Sequence, residues 1–200
     1  MTATLSIALY VTWLTTAFAI RTYVHRRRTG DTGWRGISGQ PGTAKWWAGV
    51  LFVVALLIGF VAPIAEKVGV DRIVTSSATT ILGIVLALAG VAATLGAQSS
   101  MHDSWRIGVD AQEVTTLRTD GAFRIVRNPI FAAMLATATG LALMTPNVIA
   151  AAGLACLLAA VHLQVRVVEE PYLRSIHRSA FTSYERTVGR FTPWTGRFRD

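Results

Sequence analysis

Through the first 167 residues of this chain apolar positions mostly run unbroken, with neither alternation nor helical spacing. Residues 3–20 (ATLSIALYVTWLTTAFAI) carry no charge. That is close to the roughly 20 residues an α-helix needs to cross a hydrocarbon core at 1.5 Å per residue. Similar runs cover about 46–64, 73–97, 129–145 and 147–167, the last two separated only by the turn Thr145-Pro146-Asn147. So short a connection folds two helices into an antiparallel hairpin. The pattern predicts an all-α integral membrane protein of five transmembrane helices. Beyond the fifth run, Tyr172, Ile176, Ala180, Tyr184 and Val188 recur every four residues, which predicts an amphipathic C-terminal helix lying on the bundle or in the interface.

Composition agrees with this reading. Hydrophobic residues make up 52% of the 200-residue chain and charged ones 15%, far below the quarter typical of soluble domains. The net charge of +8 would suit a nucleic-acid partner, but the basic residues sit in the gaps between apolar runs. Segments 21–45, 98–128 and 166–200 hold six, four and seven Lys or Arg, whereas 65–72 holds two and the 145–147 turn none. Five spans put seventeen of these on one side and two on the other. That side is then cytoplasmic, with the N-terminus outside and the C-terminus inside. Positive charge follows the first run instead of preceding it, so that run reads as a retained helix and not a cleaved leader. Arginine and alanine richness points to a bacterial plasma membrane. Trp46 and Trp47 open the second run at headgroup depth.

Two blocks follow from this division: residues 1–72, with the first two spans and a basic, glycine-rich loop, and residues 73–200, which hold the chemistry. The loop "HRRRTGDTGWRGISGQPGTAKWW" reads either as a flexible connection or as a lid over a cytoplasmic pocket. The lone Cys156 lies inside an apolar run as a packing residue, and no His/Cys spacing suits a metal. Neither a P-loop nor a G-x-G-x-x-G motif is present. A small-xxx-small pattern such as Gly83/Ala87 leaves the oligomeric state open.

Two clusters carry candidate chemistry. His162, Arg166 and Glu170 are spaced by four and share a helical stripe, with Glu169 beside them. Ionisable groups at membrane depth usually face a polar cavity or one another. Pro171 disfavours helix at the residue before it, which predicts that Glu170 leaves the helical path at a break. The second cluster is "LRTDGAFRIVRNPIF", residues 117–131. Pro129 starts a helix whose N-terminus would offer free N–H groups to an anion, and Arg127 adds a bidentate donor. Acids on one side and an arginine with a helix N-terminus on the other would fit a zwitterion, and S-adenosyl-L-methionine is such a ligand.

These blocks resemble a known family. "GAFRIVRNPIF" is similar to the first cofactor motif of isoprenylcysteine carboxyl methyltransferases, an arrangement that phospholipid methyltransferases share. "RVVEEPYLRSIHRSAFTSYERTVGRFTPW" resembles their closing pattern of an acidic pair followed by an arginine, an aromatic and Pro-Trp. "SWRIGVDAQE" also resembles bacterial members. The likeness spans about 80–197. It implies a membrane methyltransferase that takes S-adenosyl-L-methionine from the cytosol. Gly121, Phe123, Arg127, Asn128, Pro129, Phe131, Glu169 and Glu170 would bind the cofactor. Arg166, Arg190 and Tyr184 would lie near the reaction centre, with Arg166 or Arg190 positioning an anionic acceptor. Asn128 stands where the family usually has histidine, and an amide cannot titrate. The acceptor implied is a lipophilic or membrane-embedded carboxylate, thiol or lipid head group. The competing readings are an NADPH-dependent enzyme of the sterol-reductase type, against which the glutamate pair argues, and a non-catalytic membrane scaffold.

Overall fold

A computed structural model of the chain describes residues 1–108 and 116–197. Within these, six helices follow in order: α1 (Thr2–Thr29), α2 (Ala44–Lys67), α3 (Ser77–Ser100), α4 (Pro129–Met144), α5 (Val148–Leu163) and α6 (Glu170–Thr187). A π-helical turn, Gln164–Glu169, joins α5 to α6, so that Val148–Thr187 is one helical run. No strand forms among the described residues; two isolated bridges pair Trp34 with Ile107 and Val126 with Gly189.

Each of the five apolar runs is helical. Four helical stretches, Thr2–Thr29, Ala44–Lys67, Ser77–Ser100 and Val148–Thr187, are long and apolar enough to cross a membrane. The fourth expected span is shorter: Pro129–Met144 has 16 residues, about 24 Å of helix against a core of about 30 Å. It is bounded by Pro129 at its first turn and by the Thr145-Pro146-Asn147 turn at its end.

Boundaries follow the caps. Thr43 Oγ1 accepts from the Trp46 amide to start α2, and Ser76 Oγ accepts from the Thr79 amide to start α3, four residues later than hydropathy alone placed it. Basic Arg26, Arg27 and Arg28 extend α1 well beyond its apolar run and sit in its last turn, where they suit the negative end of the helix dipole. Asn147 caps α5 twice: Oδ1 accepts from the Ile149 and Ala150 amides, while Nδ2 donates to the Ala62 carbonyl of α2 at 3.0 Å.

The bundle is built from two close helix pairs, α3 on α4 and α2 on α5, with α1 crossing both. Small residues set the first pair. A Cβ on Gly140 would lie 2.3 Å from the Ala87 backbone nitrogen, and one on Gly90 would lie 2.5 Å from the Thr137 nitrogen. Backbones approach this closely only where side chains are absent, the usual route to tight packing when lipid removes the hydrophobic drive between helices. Tyr10, Trp13 and Met144 fill the space between the pairs.

Candidate functional site

The C-terminal helix does not keep a single straight stripe. At Arg178 the backbone turns to φ +44°, a left-handed value costly for a residue with a Cβ, and α6 kinks there. In a straight helix residues 174 and 185 would be about 16 Å apart along the axis. After the kink Arg174 pairs with the buried Glu185 at 2.7 Å. The break also shifts the packing phase. Tyr172, Phe181 and Tyr184 are buried, whereas Ala180, expected on the apolar face, is exposed.

Glu170 likewise departs from expectation. It keeps helical dihedrals (φ −61°, ψ −43°) and does not leave the helix before Pro171. The proline occupies the first turn of α6, where an N–H is dispensable. The π-helical turn just ahead of it carries the adjustment, adding residues to the turn. That rotation breaks the stripe predicted from fours. Glu170 points inward and is buried, while His162 and Arg166 are exposed on the outside. His162 stacks edge-on against Phe191.

Inside, the two sequence blocks grip each other. Arg127 Nη2 donates to Glu170 Oε1 at 2.8 Å and to the Gly196 carbonyl, and its Nη1 donates to the Glu185 and Val188 carbonyls. Arg190 meets both oxygens of Glu170 at 2.8 Å, a bidentate pairing. The backbone repeats the contact: the Arg127 amide donates to the Gly189 carbonyl, and the Asn128 amide and Nδ2 both donate to that of Arg190. The amides of Arg127 and Asn128, just ahead of α4, are therefore taken by the C-terminal strap, residues 188–197. Tyr184 donates its hydroxyl to the Phe123 carbonyl, and Gly121 packs on Ser100 with φ +54°.

Above this clasp lies a cavity of about 560 Å³, within the range of small-molecule sites. Phe123, Arg127, Asn128, Pro129, Phe131, Glu169, Glu170 and Tyr184 all line it; Gly121, Arg166 and Arg190 do not. Its lining is of two kinds: Leu14, Phe18, Phe52, Leu56 and Met134 from α1, α2 and α4 are apolar, whereas Gln98, Arg106, Arg118, Gln164 and Glu169 are polar or charged. Glu169 is half-buried and accepts from Gln164 Nε2 at 3.2 Å.

Several polar atoms of this lining are buried without a hydrogen-bond partner among the described residues: Gln98 Oε1, Arg106 Nη1, Arg118 Nε and Arg127 Nε. Buried polar groups are rarely left so, because each costs about 1–3 kcal/mol when unsatisfied. The donor set, three guanidinium N–H groups and a carboxylate, fits a zwitterionic ligand such as S-adenosyl-L-methionine. Gln98, Arg106, Arg118 and Gln164 were not among the residues expected from sequence. Only Gln98 and Gln164, lone amides at or inside the ends of apolar runs, carried a readable signal. Residues 109–113 of the "SWRIGVDAQE" segment lie outside the described residues.

The glycine-rich loop after α1 forms part of the wall. Trp34, Gly36, Ile37 and Ser38 line the cavity, and the loop is tied to the other side by Arg35 N–H to the Ile107 carbonyl and Ile107 N–H to that of Gly33. Hydrogen bonds from the Arg35 side chain and the Gly33 amide hold the Asp31 carboxyl well below the usual carboxylate range.

A family model for phospholipid methyltransferases matches residues 78–180, more than half of the chain. The chain belongs to the phospholipid methyltransferase family. The matched region contains both the 121–131 block and Glu169-Glu170, and membership makes the protein a membrane methyltransferase. Within the family match fall α3, α4, α5 and the start of α6; the apolar wall from α1 and α2 and the C-terminal strap lie outside it. No curated protein and no solved structure matches the chain.

Proposed function

We propose that the chain is an S-adenosyl-L-methionine-dependent methyltransferase acting on the head group of an amphiphile drawn from the bilayer, with its site on the cytoplasmic side of a bacterial plasma membrane. The observation that carries this reading is one cavity lined both by apolar side chains of α1, α2 and α4 and by Glu169 with guanidinium N–H groups that lack partners among the described residues. Bound there, the cofactor supplies an electrophilic methyl group. The residues of the chain supply position, which dominates an in-line displacement. Glu169 would hold the cationic end of the cofactor and Arg127 Nε its carboxylate, with Phe123 and Phe131 in the same lining. Glu170 acts through Arg127 and Arg190 as a positioning residue. Seventeen basic residues on the loop side against two on the other support the cytoplasmic placement.

Titration calorimetry of the purified chain with S-adenosylhomocysteine tests this. Saturable binding is expected, and Glu169→Gln weakens it about tenfold or more, since a charge-assisted contact is worth about 1.5–3 kcal/mol. Binding of NADPH in its place, or of neither, would overturn the reading.

A further inference from the structure

We infer that residues 30–43 form a lid that swings from the cavity as one piece, hinged at Gly30 and Gly42; that its passenger is the cofactor rests on the reading above. Trp34 and Ile37 line the cavity and are also exposed, so two large apolar side chains stand between it and water. The ends of the loop and its middle differ in stiffness. Gly30 closes α1 at φ +79°, and Gly42 precedes the Thr43 cap of α2 at φ +86°. A Cβ at either position would meet nothing within 4 Å. Backbone torsions in such open places can change without a clash, which is what a hinge needs. Between the hinges the chain is tied to itself. Asp31 Oδ1 accepts from the Gly33 amide at 3.0 Å and from Arg35 Nη1 at 3.1 Å. The segment that carries Trp34 therefore moves as a unit.

The seat it closes on is fixed. Buried Trp105 meets the His25 ring edge-on, centroids 5.5 Å apart, and lies under the Arg21 guanidinium at 5.3 Å. Arg21 Nη2 also donates to the His102 carbonyl at 3.0 Å, so this connection is pinned to α1. The lid latches to it through backbone: Arg35 N–H to the Ile107 carbonyl at 2.9 Å, and Ile107 N–H to that of Gly33 at 2.8 Å. On its other side Ile37 fills a notch in α2 at Gly49, where a Cβ would lie 2.7 Å from Ile37 Cγ2. Parting these contacts breaks no helix. A charged cofactor arriving from water needs such an opening, and closure over it excludes water from the methyl transfer.

The test locks the lid in the full chain, in neutral detergent, with Ile37→Cys and Gly49→Cys in a Cys156→Ala background. A Cβ at position 49 lies 3.3 Å from Ile37 Cβ, near disulfide range, and Ile37→Cys removes the branch that crowds it. Diamide is expected to form the cross-link. Trp34 and Trp105 line the cavity, so stopped-flow tryptophan fluorescence reads S-adenosylhomocysteine entering and leaving. Both rates are expected to fall tenfold or more on oxidation and to recover on reduction. Without any ligand, the Arg35 and Ile107 amides are expected to exchange hydrogen tenfold or more faster than amides within α2, and to slow on cross-linking. Failure of the cross-link to form would overturn the lid. So would binding rates indifferent to oxidation, or Arg35 and Ile107 amides as protected as those of α2. If the wild type does not bind S-adenosylhomocysteine while exchange responds to the lock as expected, the cofactor reading alone fails.

Discussion

Arg127 and Glu170, 43 positions apart in the chain, meet at 2.8 Å with each side chain no more than 4% exposed. Arg190 closes the other side of the same carboxylate. Removing one partner of a buried pair strands the remaining charge, at about 3–5 kcal/mol. Glu170→Gln leaves two arginines facing an amide that cannot balance them. It is expected to lower the thermal midpoint of the purified protein markedly, while Glu169→Gln shifts it little. Equal midpoints for the two variants would show that the clasp contributes nothing to stability.

The contrast between these neighbouring glutamates was not readable from sequence. Both fell in one block, and spacing by fours put Glu170 with His162 and Arg166. Such spacing assumes 3.6 residues per turn throughout; the π-helical turn Gln164–Glu169 breaks that assumption and rotates Glu170 inward and Arg166 outward. The apolar helices were legible because bilayer thickness fixes run length, and the Asn147 turn because its chemistry is local. Arg106 and Arg118 were hidden because only tertiary folding brings their connection over the cavity. Even the paired opposite charges were legible as complementary; their sequence could not say that they complement each other as well as a ligand.

Close contact between α3 and α4 depends on Gly140. A valine there would drive its Cβ to 2.3 Å from the Ala87 backbone nitrogen, and backbone cannot step aside as a flexible side chain can. Gly140→Val is expected to cost about 1–3 kcal/mol or more and to lower yield of folded protein in detergent. Gly96→Ala, where a Cβ meets nothing, serves as the control and leaves the thermal midpoint unchanged.

Asn147 is fully buried and makes three hydrogen bonds, two capping α5 and one to the Ala62 carbonyl. Asn147→Ala removes an N-cap worth about 1 kcal/mol and leaves the Ala62 carbonyl without its side-chain donor. Asn147→Asp keeps the cap but cannot donate to Ala62. Unfolding in a denaturing detergent should therefore rank wild type above Asp, with Ala destabilised by about 2 kcal/mol. An alanine variant as stable as wild type would mean that water takes over both roles.

Acceptor choice should be separable from cofactor binding, because α1 and α2 contribute apolar lining from outside the family-matched region. Phe52 of α2 packs edge-on against Phe131 of α4, with ring centroids 6.3 Å apart, and so supports a proposed cofactor-lining residue. Leu56, one turn further along α2, also lines the cavity and lies in the N-terminal region that the family match leaves out. Leu56→Ala enlarges the apolar lining while keeping Phe52, Phe131 and Glu169. Hexadecyl amphiphiles are then expected to gain affinity relative to dodecyl ones, by about 0.8 kcal/mol for each further methylene that the enlarged lining buries. S-adenosylhomocysteine affinity should stay at the wild-type value in calorimetry. If both affinities fall together, the wall supports the whole cavity and does not measure acceptor length.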